Sequence, residues 1–312
     1  MGKYALLIGL NYSTRLKNSI KNTLAMRDYL IKKRGYSVEN IVVLLDTYSP
    51  TSATYPNYNT IDSNMSIFFE RARDPTNELF LYYSGLGIGK ELNTPDNFTY
   101  HVKRGIVASD YVIPISTIIT RYNMGLQSCE APILWVMDCP NYATYKILPY
   151  IYNYTTTNLQ IEYNDIVEDY HNSTDPDPDV RKIYLLSGCN NKNKYTEGRL
   201  TTELLKLLNK NSTDNFVNIF NRLNNNIKKY KNSELPNLSS TQNLNKNIMF
   251  MKSKLPVKRK LSISHKLHMK NKSLVKSKIL IKNKSLVKSK IHIKNKSLVK
   301  SKIPVAHKFI KS

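Results

Sequence analysis

Leu79-Phe80-Leu81-Tyr82-Tyr83-Ser84-Gly85-Leu86-Gly87 is the stretch on which the fold turns. Residues 79–83 are apolar or aromatic without alternation, which suits a strand covered on both faces, as in a parallel sheet. The run stops in a glycine-rich turn, and ligands of open parallel sheets bind beyond the carboxyl ends of the strands. Working outward, Tyr4–Ile8 before Gly9, Ile41–Leu45 before Asp46, Ile133–Met137 before Asp138, and Ile183–Leu186 before Ser187-Gly188-Cys189 read the same way. Asn247–Met251 reads as a last short strand. Helical patterns run through Leu24–Lys33, ending near Gly35, and through Ile61–Ala72, Thr201–Leu208 and Phe216–Lys229. The expected class is α/β: a mostly parallel six-stranded sheet with helices on both faces. The polar or glycine-rich strand ends at 84–87, 138–141 and 187–190 read either as a cleft or as ordinary turns. Residues 153–180, with Asp175-Pro176-Asp177-Pro178-Asp179, read as a long exposed loop.

Charge divides the 312-residue chain. Its formal charge of +24 is concentrated in residues 251–312, which hold 20 Lys and Arg and no Asp or Glu. The first 250 residues carry 27 basic and 23 acidic side chains, an ordinary near-neutral balance of +4. The expected organisation is a folded domain over 1–251 and a Lys-rich tail over 252–312. In the tail, Lys270-Asn271-Lys272-Ser273-Leu274-Val275-Lys276-Ser277-Lys278-Ile279 recurs identically at 282–291 and 294–303, a period of 12. Without acidic partners or many large apolar groups, such a segment is expected to be disordered alone. Its natural partners are polyanions, nucleic acid among them, bound with strong salt dependence. Phe309 is its single aromatic residue, so base stacking is a minor element. Lys258-Arg259-Lys260 would serve as part of a nuclear address. A repeat expansion without a selected role explains the same composition.

The three cysteines, Cys129, Cys139 and Cys189, fit neither a zinc spacing nor a disulfide framework, and free thiols suit an intracellular, reducing compartment. The apolar run Ala5–Leu10 is too short for a signal peptide, and Leu6 breaks the N-myristoylation pattern. No apolar run approaches the roughly 20 residues that span a bilayer. An intracellular, cytoplasmic protein is expected.

Five blocks in order resemble the metacaspases and other caspase-like cysteine peptidases of the C14 type. Ala5-Leu6-Leu7-Ile8-Gly9-Leu10-Asn11-Tyr12 is similar to their opening strand, and Glu39-Asn40-Ile41-Val42-Val43-Leu44-Leu45-Asp46 to their second. Leu81-Tyr82-Tyr83-Ser84-Gly85-Leu86-Gly87 resembles the F-x-Y-S-G-H-G block that carries the catalytic histidine. Ile133-Leu134-Trp135-Val136-Met137-Asp138-Cys139-Pro140-Asn141 resembles the block ending D-S/C-C-H-S-G, which carries the nucleophile. Ile183-Tyr184-Leu185-Leu186-Ser187-Gly188-Cys189 resembles the later I-S-G-C strand. The resemblance implies a caspase-like fold over about residues 3–250.

It also exposes departures. Leu86 stands at the family's histidine and Pro140 at its nucleophilic cysteine; Asn141 and Tyr142-Ala143 replace the following His and Ser-Gly. The family's G-C-x-N-D becomes Asn18-Ser19-Ile20-Lys21-Asn22, so a pocket-lining acid is replaced by Asn22. Lys103 and Arg104 occupy positions where many metacaspases carry an acidic pair that helps bind calcium, and cations there would repel Ca²⁺. The expectation is therefore no metal and no cofactor.

Cysteine proteolysis needs a thiolate, a histidine that activates it, and N–H donors for the oxyanion. Leu86 moves no proton, and Pro140 lacks both thiol and backbone N–H. No intact catalytic pair is expected. Cys139 lies one residue early, which in an extended segment turns its side chain to the opposite face. It reads as a buried, inert residue, with a rearranged Cys139–His101 pair as the alternative. His171, in the long loop, reads as solvated. Asp138 survives from the family pattern, where the resemblance places it at the base of the pocket for a basic side chain; an Asp that caps a turn reads equally well. Gly85 and Gly87 complete the expected pocket. Three functions follow from these residues: a catalytically inactive homologue that binds a protein, such as a caspase-like protease or its substrate; a cysteine endopeptidase rebuilt around Cys139; and polyanion binding through the tail.

Overall fold

The computed structural model describes residues 2–13, 15–88, 105–114, 117–118, 121, 131–139, 148, 150–154, 159–163, 182–188, 196–210, 215–230, 235–241 and 244. The chain divides into units of residues 1–255 and 256–312, and every described residue belongs to the first.

Strands β1 (Lys3–Gly9), β2 (Ile41–Leu45), β3 (Glu78–Ser84), β7 (Ile133–Asp138) and β10 (Ile183–Ser187) form a parallel array in the order β2-β1-β3-β7-β10. β11 (Asn237–Ser240), β8 (Tyr150–Tyr154) and β9 (Leu159–Tyr163) extend it antiparallel. Among the described residues the sheet thus has eight strands, where six were expected. Five of the eight are expected strands, and β8, β9 and β11 are additions. β11 contains one large apolar residue, Leu238, and carries no strand pattern; it is held by main-chain pairing with β10 on one side and β8 on the other. The hairpin β8–β9 replaces the start of the expected long loop, whose remainder at 164–180 lies outside the described residues, as does the expected strand 247–251. A small second sheet, β4 (Gly87–Ile88), β5 (Gly105–Val107) and β6 (Val112–Pro114), is antiparallel and follows the turn after β3.

Both faces of the large sheet are buried, which is why its central strands read as continuous apolar runs. Ala5, Leu7, Phe80, Tyr82, Leu134 and Val136 pack on one face against α1 (Ser19–Arg34), α3 (Arg199–Lys210) and α4 (Phe216–Ile227). Leu6, Ile8, Leu81, Tyr83, Trp135 and Met137 pack on the other against Ile61, Met65, Phe68 and Phe69 of α2 (Tyr58–Glu70). α2 starts earlier than its apolar spacing indicates because the Asn57 side chain accepts from Thr60 N at 2.8 Å. α1 stops where Gly35 takes a left-handed conformation, φ 69°, after the basic last turn of Lys32, Lys33 and Arg34.

Candidate functional site at the carboxyl ends of the strands

Pairing register brings the strand ends to one edge. Gly9 is opposite Ser84, Ser84 opposite Asp138, and Met137 opposite Ser187. β7 and β10 then stay close: Gly188 N donates to Met137 O at 2.8 Å, and a Cβ at Gly188 would stand 2.8 Å from Cys139 O.

The turn carrying Leu86 is held through its backbone. After β1 the chain enters a left-handed turn at Tyr12 (φ 51°) and Ser13 (φ 64°), a conformation that costs about 1–3 kcal/mol for such residues. Asp46, at the end of β2, fixes it by accepting from Tyr12 N at 2.6 Å. Tyr12 packs against the α2-face core. Its hydroxyl accepts from Leu86 N at 3.0 Å and donates to Val107 O at 2.6 Å. Tyr83 makes the reciprocal brace: its hydroxyl donates to Leu86 O at 2.7 Å and accepts from Val107 N at 3.2 Å. The two hydroxyls are 2.9 Å apart, and Val107 N also reaches Leu86 O directly at 3.1 Å. Tyr12 has in effect inserted its hydroxyl into the ladder between residues 86 and 107. Burial pushes both phenols up, Tyr83 well above its ordinary value, so both stay protonated.

Gly85 serves this clamp, since a Cβ there would lie 2.6 Å from Tyr83 Oη and 2.8 Å from Tyr12 Oη. Gly87 is buried and opposite Ile106. Because residues 86 and 107 form the hydrogen-bonded pair, alternation turns the Gly87 N–H away from β5. The Leu86 side chain is only partly buried and belongs to neither core cluster.

Asp138 is fully buried on the α1/α3 face. Its Oδ2 accepts from Thr201 Oγ1 at 2.5 Å and from Thr201 N at 3.2 Å, in the first turn of α3. Tyr82 Oη lies 2.7 Å from Thr201 Oγ1, which accepts its proton and donates its own to Asp138. The carboxylate thus caps α3, as charge at a helix N-terminus favours. A second acid does the same for α1. The Glu197 carboxylate accepts from Lys17 N at 2.8 Å, from Ser19 N at 3.1 Å and from Asn18 N. Asn22, 7% exposed, faces this turn, and a Cβ at Gly198 would be 2.2 Å from its Nδ2.

Cys139 points the other way. It is fully buried in the α2-face cluster with Trp135 and Met137, whereas Asp138 lies on the opposite face. Pro140, Asn141, His101, Lys103, Arg104, His171, Cys129 and Cys189 lie outside the described residues. Among the described residues, no group of three or more His, Cys, Asp or Glu is placed to hold a metal ion, and no helix is long and apolar enough to cross a membrane. Sequence reasoning singled out Leu86, Asp138, Gly85 and Gly87 but not Tyr12, Thr201 or Glu197. Tyr12 lay within a quoted block, yet its role depends on a backbone conformation; Glu197 contacts Lys17 across 180 residues, and no local pattern marks it.

Such an edge defines the class: an α/β protein whose candidate site lies at the carboxyl ends of a mostly parallel sheet. Residues 3–121 match the family model of the metacaspase, peptidase C14 domain, and the chain is similar to metacaspases over that segment. It is 34% identical over 86 residues to Metacaspase-1 of Schizosaccharomyces pombe, covering 27% of this chain and 20% of that protein. It is 34% identical over 113 residues to Metacaspase-6 of Arabidopsis thaliana, covering 35% and 30%, and 36% identical over 90 residues to Metacaspase-4 of the same plant, covering 28% and 21%. These alignments therefore span less than a third of the curated relatives. A crystal structure from Geobacter sulfurreducens superposes with a TM-score of 0.48 at 15% identity, covering 78% of this chain and 95% of that one.

Proposed function

We propose that this chain is a non-catalytic caspase-like module that binds a protein through the carboxyl edge of its sheet. One observation carries the reading: the position of the family's general base is an alkyl side chain, Leu86, while its backbone is held by Tyr12 and Tyr83. Nothing at that position can take a proton from a thiol. Pro140, at the family's nucleophile, supplies neither sulfur nor an oxyanion N–H. Removing the nucleophile or the base of a hydrolase costs on the order of 10⁶ in kcat, and a lost oxyanion donor alone about 3–4 kcal/mol. Cys139 is fully buried in the α2-face cluster, on the same side as Tyr12 and Tyr83, and offers no exposed thiol in its place. Lys103 and Arg104 supply no oxygen ligands, so calcium has no part in the proposal.

The test is cleavage of Arg- and Lys-reporter peptides, with and without calcium, by the wild-type chain and by Cys139→Ala. No turnover is expected from either. Turnover abolished in Cys139→Ala would overturn the reading. The first partner to assay is an active caspase-like protease, with altered turnover of its own substrate as the readout.

A further inference from the structure

The N-terminus of α1 is built as a receptor for a carboxylate. The helix has no acid in its first turn, and its N-cap residue Asn18 sits at φ −116°, ψ −11° with no side-chain cap bond. Only Ile20 N finds a local acceptor, Asn11 Oδ1 at 3.3 Å. The N–H groups of Lys17, Asn18 and Ser19 instead converge on one carboxylate, that of Glu197. Converging main-chain donors at a helix N-terminus form an anion site.

A second observation points the same way. Ser19 Oγ and Asn22 Nδ2 lie beside the nest, buried and without hydrogen-bond partners; Ser19 is 0% and Asn22 7% exposed. Buried polar atoms are normally paired, so these are unfilled contacts of a site otherwise made of donors. Asn22 reaches the turn because residue 198 is glycine at φ 74°. Asp138 and Asp46, further acids of this edge, are compensated, Asp138 by Thr201 N and Oγ1 and Asp46 by Tyr12 N.

We infer that this nest is a carboxylate-binding site with Glu197 as its resident intramolecular ligand, and that an acidic side chain of a protein partner replaces Glu197 there. The Asn22 amide and Ser19 hydroxyl are the contacts left for that ligand. The inference rests on the protein-binding reading above and adds the chemistry of what is bound: an acid, where a pocket lined by two acids would take a base.

The experiment uses the full chain and Glu197→Ala, with sodium acetate against sodium chloride at equal ionic strength. Glu197→Ala is expected to melt at least 3 °C below wild type, with acetate restoring more than half the loss and chloride none of it. In heteronuclear NMR, acetate should shift the Lys17, Asn18 and Ser19 amides saturably in the variant and not in wild type. A peptide with one central Glu should bind the variant at least tenfold more tightly than its Lys counterpart. Equal effects of acetate and chloride, unmoved amides, or no preference between the peptides would each overturn the inference. Should Glu197→Ala fail to fold, Glu197→Gln keeps the side-chain shape and is judged by the same amide shifts. Cleavage of the reporter peptides would sink the non-catalytic reading and leave this site standing; failed acetate rescue does the reverse.

Discussion

Tyr12→Phe isolates the clamp under residue 86. The substitution keeps the ring, its packing and its left-handed backbone, and removes one oxygen that accepts from Leu86 N at 3.0 Å and donates to Val107 O at 2.6 Å. Val107 O can take a new donor, since Tyr83 Oη is already 3.0 Å away. If Tyr83 turns its proton there, Leu86 O keeps Val107 N at 3.1 Å. Leu86 N–H has no such recourse and is left unpaired. One orphaned donor in this partly buried turn costs about 1–3 kcal/mol, and one net hydrogen bond about 1 kcal/mol more. The expected loss is therefore about 2–4 kcal/mol, a fall in Tm of roughly 5–15 °C for a domain of this size. Urea unfolding should show an earlier midpoint with an unchanged slope, and hydrogen exchange at the Leu86 amide should accelerate by a comparable free energy. Tyr48→Phe, at a 40% exposed ring, is the control and should be nearly neutral. If Tyr12→Phe behaves like Tyr48→Phe and Leu86 exchange is unaltered, the hydroxyl does not hold the turn.

Other consequences follow from the same contacts. Thr201→Val removes the hydroxyl between Tyr82 and the buried Asp138 carboxylate and should cost about 1.5–3 kcal/mol in urea unfolding, the worth of a hydrogen bond to a charged group; a cost under 0.5 kcal/mol would show that this hydroxyl does not support the Asp138 carboxylate. Cys139 should resist iodoacetamide in the folded chain and react in urea, as read by mass spectrometry of its peptide; fast native labelling would contradict its burial in the α2-face cluster. Stability should decline as pH rises past about 10, the ordinary tyrosine value. Tyr36, Tyr82 and Tyr83 are held well above that value by burial, so below it their contribution is complete, and above it only the unfolded chain ionises. A flat denaturation profile by circular dichroism between pH 9 and 11 would refute this.

The parallel core was legible because its strands, buried on both faces, are continuous apolar runs: Leu79–Tyr83 and Ile133–Met137 need no context to be read. Elements held mainly by the main chain were not. β11, Asn237-Leu238-Ser239-Ser240, shows no pattern because its place comes from pairing on both edges. The start of α1 was missed by five residues for a related reason: Leu24 opens the apolar spacing, while the true first turn at Ser19 is capped by Glu197, near only after folding. At the site, sequence placed Leu86 and Asp138 at strand ends but could not supply the contacts that hold them.

Those contacts bear on which residues of a caspase-like edge are free to change. Residue 86 is positioned by its N–H and C=O, through hydroxyls contributed by Tyr12 and Tyr83, and its side chain joins neither core. A change of side chain there removes nothing from either core cluster and breaks none of the hydrogen bonds that hold the turn. Gly85 lacks that freedom, because any Cβ would strike both phenols, and Asp138 lacks it because α3 depends on its carboxylate. An acid that the family resemblance reads as part of substrate recognition is thus also a helix cap. Chemistry at position 86 can be lost while the scaffold around it stays whole, which is the physical condition a non-catalytic caspase-like protein must meet.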